Sequence, residues 1–148
     1  MSPRHAFLYD FGRWPLVVTC DYGDSDQQAI EAFYSELSRR VDKGDRYYTI
    51  SLLDHATPGH AAHAEIGGVW MQANHARIDR QMIGATIVAR SAVMRSAVER
   101  LLQDSQMPGG KHTFVPSLMD AVHDANAAFA REGLRLPPAP SGWPRVYL

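Results

Sequence analysis

Apolar positions along this chain follow two spacings. Short, nearly continuous apolar runs at residues 47–53 and 85–89 have the pattern of strands covered on both faces. Between them apolar residues recur every three to four positions, the period of helices that bury one side. Residues 5–11 and 16–22 are rich in β-formers and joined through Gly12 and Pro15, which predicts an antiparallel hairpin. Ser25 and Gln28 have capping-box spacing, Ile30, Phe33, Tyr34, Leu37 and Val41 form a stripe, and Gly44 supplies the stop, so a first helix is expected there.

Residues 47–53 should be a central strand. Pro58 then opens one long helix with Ile66, Val69, Trp70 and Ala73 on its inner side, running on towards Ile83. Gly67 and Gly68 each cost about 1 kcal/mol relative to alanine in a helix interior, which requires close packing or a break there. After the strand at 85–89, Ser91 caps a helix carrying Met94, Ala97, Val98 and Leu101 on one side, and Pro108, Gly109 and Gly110 end that segment. Residues 111–115 read as a fifth strand. Ser117 and Asp120 then begin a fourth helix through Leu118, Val122, Ala125 and Phe129 to Gly133.

The order ββαβαβαβα predicts a single-domain α/β fold: a mostly parallel five-stranded sheet with an N-terminal antiparallel hairpin and four helices. Its core is the crossover unit at 47–89, expected to be right-handed with its turn at an open edge of the sheet. Residues 1–133 form this domain. Residues 134–148 hold four of the nine prolines, which excludes a helix and predicts an extended C-terminal tail.

Composition narrows the function classes. A 148-residue chain with 45% hydrophobic and 21% charged residues has the make-up of a soluble domain. Its formal net charge of -1 creates no general attraction to nucleic acid or anionic lipid. No apolar run reaches the length of a membrane span, and the first ten residues lack the apolar stretch of a signal peptide. The single cysteine, Cys20, excludes an intrachain disulfide and fits a reducing compartment, so a cytoplasmic location is expected.

The element order, the short hairpin, the ending of the third strand at Leu52, Leu53 and Asp54, and Trp70 in the next helix together resemble the STAS-like family related to anti-sigma-factor antagonists (SpoIIAA-like). The resemblance covers roughly residues 7–131. It implies a non-catalytic bacterial regulatory or scaffold module that signals by protein–protein contact. Some family members are switched by phosphorylation of a serine in an Asp-Ser-x-Gly turn before the second helix. Here that turn contains Asp54, His55, Thr57 and Gly59, with Thr57 as the one substitute for the serine.

In open α/β sheets ligands collect beyond the carboxyl ends of the parallel strands. Asp21 and Tyr22, Asp54 and His55, Arg90 and Ser91, and Pro116 and Ser117 are expected on that rim, where Asp54, His55, Thr57, Arg90, Ser91 and Ser117 form a candidate site for a partner or a small anion. The competing reading makes Ser91 and Ser117 simple helix caps and pairs Asp54 with Arg90. His55, His60, His63 and His75 cluster in sequence, yet on one helix His63 and His75 lie about 18 Å and about 120° apart; no metal and no cofactor is expected. Cys20 sits among apolar neighbours and reads as a buried small hydrophobe. The tail ends in Trp143, Val146, Tyr147 and Leu148, apolar bulk that should dock, either on its own domain or across a homodimer. A protein partner is therefore expected, with a small-anion-binding protein or an enzyme at the same rim as the alternative.

Overall fold

A computed structural model describes residues 7–21, 27–53, 61–89, 91–104 and 112–146, with side chains described throughout except at 61–65 and 101–104. Strands β1 (Phe7–Arg13) and β2 (Leu16–Asp21) pair antiparallel, and β3 (Tyr47–Leu52), β4 (Met82–Val88) and β5 (His112–Val115) follow in parallel, in the spatial order β1-β2-β3-β4-β5. The helices are α1 (Gln27–Val41), α2 (Ala61–Ala73), α3 (His75–Gln81), α4 (Ala92–Asp104) and α5 (Leu118–Arg131). The expected α/β class, hairpin and mostly parallel sheet are all present. Among the described residues the helix count is five, not four.

Strand alternation divides the core into two faces. Leu16, Val18, Cys20, Tyr48, Ile50, Leu52 and Val88 form one cluster with Ala121, Ala125, Ala128 and Phe129 of α5 and with Val146. On the other face Val17, Tyr47 and Ala85 meet the α1 stripe, with Ile66 and Trp70 of α2 and Ile78 of α3. Ile87 and Phe114 meet Met94 and Val98 of α4. The parallel strands are neighbours in chain order, so crossovers of one hand lay every connecting helix on the same side. Only α5 is left for the opposite side.

The extra helix arises at Asn74, where a continuous helix to Ile83 was expected. The Asn74 side-chain amide donates to the Trp70 carbonyl at 2.8 Å, and the residue takes φ -114° and ψ 17°. The Asn74 backbone N–H donates to the same carbonyl at 3.0 Å, so the last turn of α2 closes at Asn74, and the Asn74 carbonyl accepts from the Ile78 N–H at 2.9 Å to open the next helix. The new helix ends at Gln81, whose amide donates to the Val41 and Asp45 carbonyls, each at 2.9 Å. That anchor starts β4 at Met82, three residues before the expected strand at 85. Two positions of the expected inner stripe correct accordingly: Val69 is 71% exposed and Ala73 is exposed. Helix α2 passes through Gly67 and Gly68 unbroken, Gly67 buried and Gly68 facing open space.

Residues 134–146 run back across β1 on the α5 side. Arg13 Nε donates to the Pro137 carbonyl at 2.7 Å, the Arg145 N–H donates to Asp10 at 2.6 Å, and Pro140 lies close to Gly12. Helix α5 packs on β3 and β4, so this segment covers the part of the sheet that α5 does not reach. Val146 is fully buried in the cluster with Leu16, Val18 and Cys20, and Leu136 and Trp143 pack against it.

Candidate functional site

The register brings Cys20, Leu52, Val88 and Val115 to equivalent heights in neighbouring strands. The ladder continues one residue further, with Leu53 N–H donating to the Val88 carbonyl at 3.0 Å and Ala89 N–H to the Val115 carbonyl at 3.1 Å. The turns that follow β3, β4 and β5 therefore leave from one edge, the usual place for a binding site in this architecture. Of the candidate residues, Asp54, His55, Thr57, Arg90, Tyr147 and Leu148 lie outside the described residues, as does His60.

Ser91 and Ser117 act as caps. The Ser91 hydroxyl accepts from the Met94 N–H at 3.3 Å. Ser117 accepts from the Asp120 N–H at 3.1 Å, which satisfies one backbone donor of the first turn of α5, and donates to the Asp120 carboxylate at 2.8 Å. Asp21, at the same end of β2, is 4% exposed. Its charge adds to burial and to Tyr47 in pushing the Tyr34 phenol well above its ordinary range, burial being the largest cause.

Two apolar side chains flank this rim in the open. Val93, in the first turn of α4, is 71% exposed, and Met119, in the first turn of α5, is 81% exposed. They sit on opposite sides of the sheet at the same end. The sequence signal for them is negative: Met119 falls off the stripe of Leu118, Val122, Ala125 and Phe129, and Val93 falls off that of Met94, Ala97 and Val98. Each is thus an apolar residue with no core to enter.

A second feature was not anticipated. An open groove of about 640 Å³ is lined by Tyr9, Asp10 and Phe11 of β1, by Ser35, Glu36, Arg39 and Arg40 of α1, and by Arg145. Arg39 Nη2 donates to both Glu36 carboxylate oxygens, at 2.6 and 2.7 Å, and Arg40 Nε donates to Glu36 Oε2 at 2.7 Å. The Arg39 hydrogen bond, then those of Arg40, hold the Glu36 carboxyl below its usual range. The Arg40 guanidinium lies over Phe11 and Trp14, 4.7 and 5.1 Å from their ring centres. The tandem Arg39 and Arg40 beside alternating Phe7, Tyr9 and Phe11 was the available sequence signal. It needs the fold to bring the two stretches together.

The remaining candidates separate. His75 opens α3 and lies 3.5 Å from Asp79 on its own helix. Cys20 is fully buried. Among the described residues, no group of three or more His, Cys, Asp or Glu side chains is placed to hold a metal ion, and no helix is long and apolar enough to cross a membrane. Trp143 packs on the α5-side core with the Arg13 guanidinium 4.7 Å over its ring. No protein-family model, no curated protein and no solved structure matches the chain.

Proposed function

We propose that this chain is a non-catalytic regulatory or scaffold module that works by protein–protein contact at the rim of the sheet. The observation that carries this reading is the exposure of Val93 and Met119 beside that rim. The two described rim serines support it, because their hydroxyls are engaged in capping the helices that follow. The element order that carries the STAS-like resemblance favours a signalling role over a catalytic one.

Exposed apolar side chains close to a rim of turns are the kind of anchor that protein interfaces bury. The test is affinity capture from the native source with the wild-type chain and with a Val93→Ser, Met119→Ser variant. Both positions are exposed, so folding stability should stay within about 0.5 kcal/mol. The partner recovered by the wild type should bind the variant at least about tenfold more weakly, the loss of roughly 1.4 kcal/mol. Equal capture by both proteins would place the contact elsewhere.

A further inference from the structure

The groove beside β1 straddles the free edge of the sheet. Tyr9 and Phe11 point towards α1, where they contact Phe33, whereas Asp10 points to the other side, where it holds the Arg145 N–H. A groove lined by all three, by α1 on one side and by Arg145 on the other, opens on the strand edge itself. Among the described residues β1 is the terminal strand and pairs only with β2. Its backbone groups turned away from β2 therefore lie at this groove, apart from the Gly12 N–H, which donates to Asp10, and the Phe11 carbonyl, which accepts from the Trp14 N–H.

We infer that the edge of β1 is a docking site for an extended acidic segment of another protein, which adds to the sheet as a sixth strand. Main-chain hydrogen bonds would supply the register and the arginines the choice of partner. The groove carries three guanidinium groups, and both of its carboxylates are already engaged. Glu36 is held by Arg39 and Arg40, and Asp10 accepts from the Gly12 and Arg145 N–H groups, each at 2.6 Å. Among the described residues no carboxylate pairs with the Arg145 guanidinium. Arg40 uses only Nε on Glu36, so its terminal nitrogens are left for a ligand.

Successive residues of an added strand point to opposite sides. Acidic side chains at one parity would meet Arg39 and Arg40, and those at the other parity would meet Arg145. A second copy of this chain is a poor occupant. Pairing β1 with β1 about a twofold axis brings each arginine group towards its own mate. The site is separate from the rim and independent of the function proposed above.

The experiment is fluorescence anisotropy with a labelled, terminally blocked octapeptide alternating glutamate and valine, added to the full chain. Saturable binding that weakens with salt is expected. An alternating peptide turns all its glutamates to one side, so either Arg145→Gln or Arg39→Gln should weaken it roughly threefold, and the double variant by no less. The same peptide N-methylated at alternate residues should lose binding in one parity only, because only one set of N–H groups faces β1. The inference is overturned by a lysine–valine peptide that binds as well, by arginine variants that bind unchanged, or by equal effects of the two N-methylated forms. No saturable binding would leave the arginines as guards against edge-to-edge association. Concentration-dependent dimerisation blocked by Arg145→Gln would assign the edge to a second copy. Either result overturns it as well.

Discussion

Gly84 occupies a place that no larger residue fits. A Cβ there would stand 2.8 Å from Tyr48 Cε2, and the ring cannot easily move. Its hydroxyl is hydrogen-bonded to Thr86, which in turn lies 3.3 Å from the Thr113 hydroxyl, and its other side meets Phe129. Gly84→Ala should therefore destabilise the fold by about 1–3 kcal/mol, lowering the thermal midpoint by about 2–4 °C for each of those kcal/mol. An unchanged midpoint would mean that the ring is free to shift. The buried phenols of Tyr34, Tyr47 and Tyr48 carry a second consequence, since burial raises the pKa of each above the ordinary value of 10.0. Below pH 10 folded and unfolded chains hold the same phenolic protons and stability is unaffected. Above it the unfolded chain ionises first, so stability falls by up to about 1.4 kcal/mol per pH unit for each phenol, roughly 4 for the three. Urea midpoints measured from pH 8 to 12 should be level and then drop on the alkaline side, and Tyr34→Phe should make the drop shallower. Midpoints that stay level to the top of that range would contradict the burial of these groups. At this scale the apolar residues were legible in the sequence, Cys20 and the α1 stripe among them. The Tyr48, Thr86 and Gly84 arrangement was not, because it depends on a cross-strand register that no local pattern encodes.

Among the elements, the C-terminal segment and the pair α2 and α3 teach different lessons. Proline content alone excluded a helix after Gly133, and the apolar end pointed to docking. What composition lacked was the place: residues 134–146 lie over β1 because α5 stops at β3 and β4 and leaves Leu16, Val18 and Cys20 in need of cover. Val146 is fully buried there, so Val146→Ala should cost roughly 1–3 kcal/mol. Ending the chain after Gly133 should cost more, since Leu136 and Trp143 go as well. Urea denaturation of both proteins measures this. A shortened chain with the wild-type midpoint would show that the segment contributes nothing to the core. The break at Asn74 was hidden for a different reason. Apolar residues on both sides of it keep a helical period, and both neighbouring turns stay bonded through Asn74, whose N–H reaches the Trp70 carbonyl and whose carbonyl takes the Ile78 N–H. Val69 illustrates the result, reading as an inner position and standing 71% exposed.

Considered whole, the molecule is a sheet with a busy end and a charged edge. The level ends of β2 to β5 were legible, because parallel neighbours in register finish together. The open apolar anchors there were not, since Val93 and Met119 are distinguished only by failing to enter a core. The charged edge joins residues far apart in sequence, Tyr9, Arg40 and Arg145, and only the tertiary fold assembles it. The rim and the edge are separate surfaces. The most direct measurement is photo-crosslinking in the native source, with a benzophenone side chain placed in turn at Val93, Met119 and Lys43. Lys43 is exposed and precedes β3, at the opposite end of the sheet. The account expects the same protein partner to be captured from Val93 and from Met119, and not from Lys43. Capture from Lys43 alone, or equally from all three positions, would contradict it.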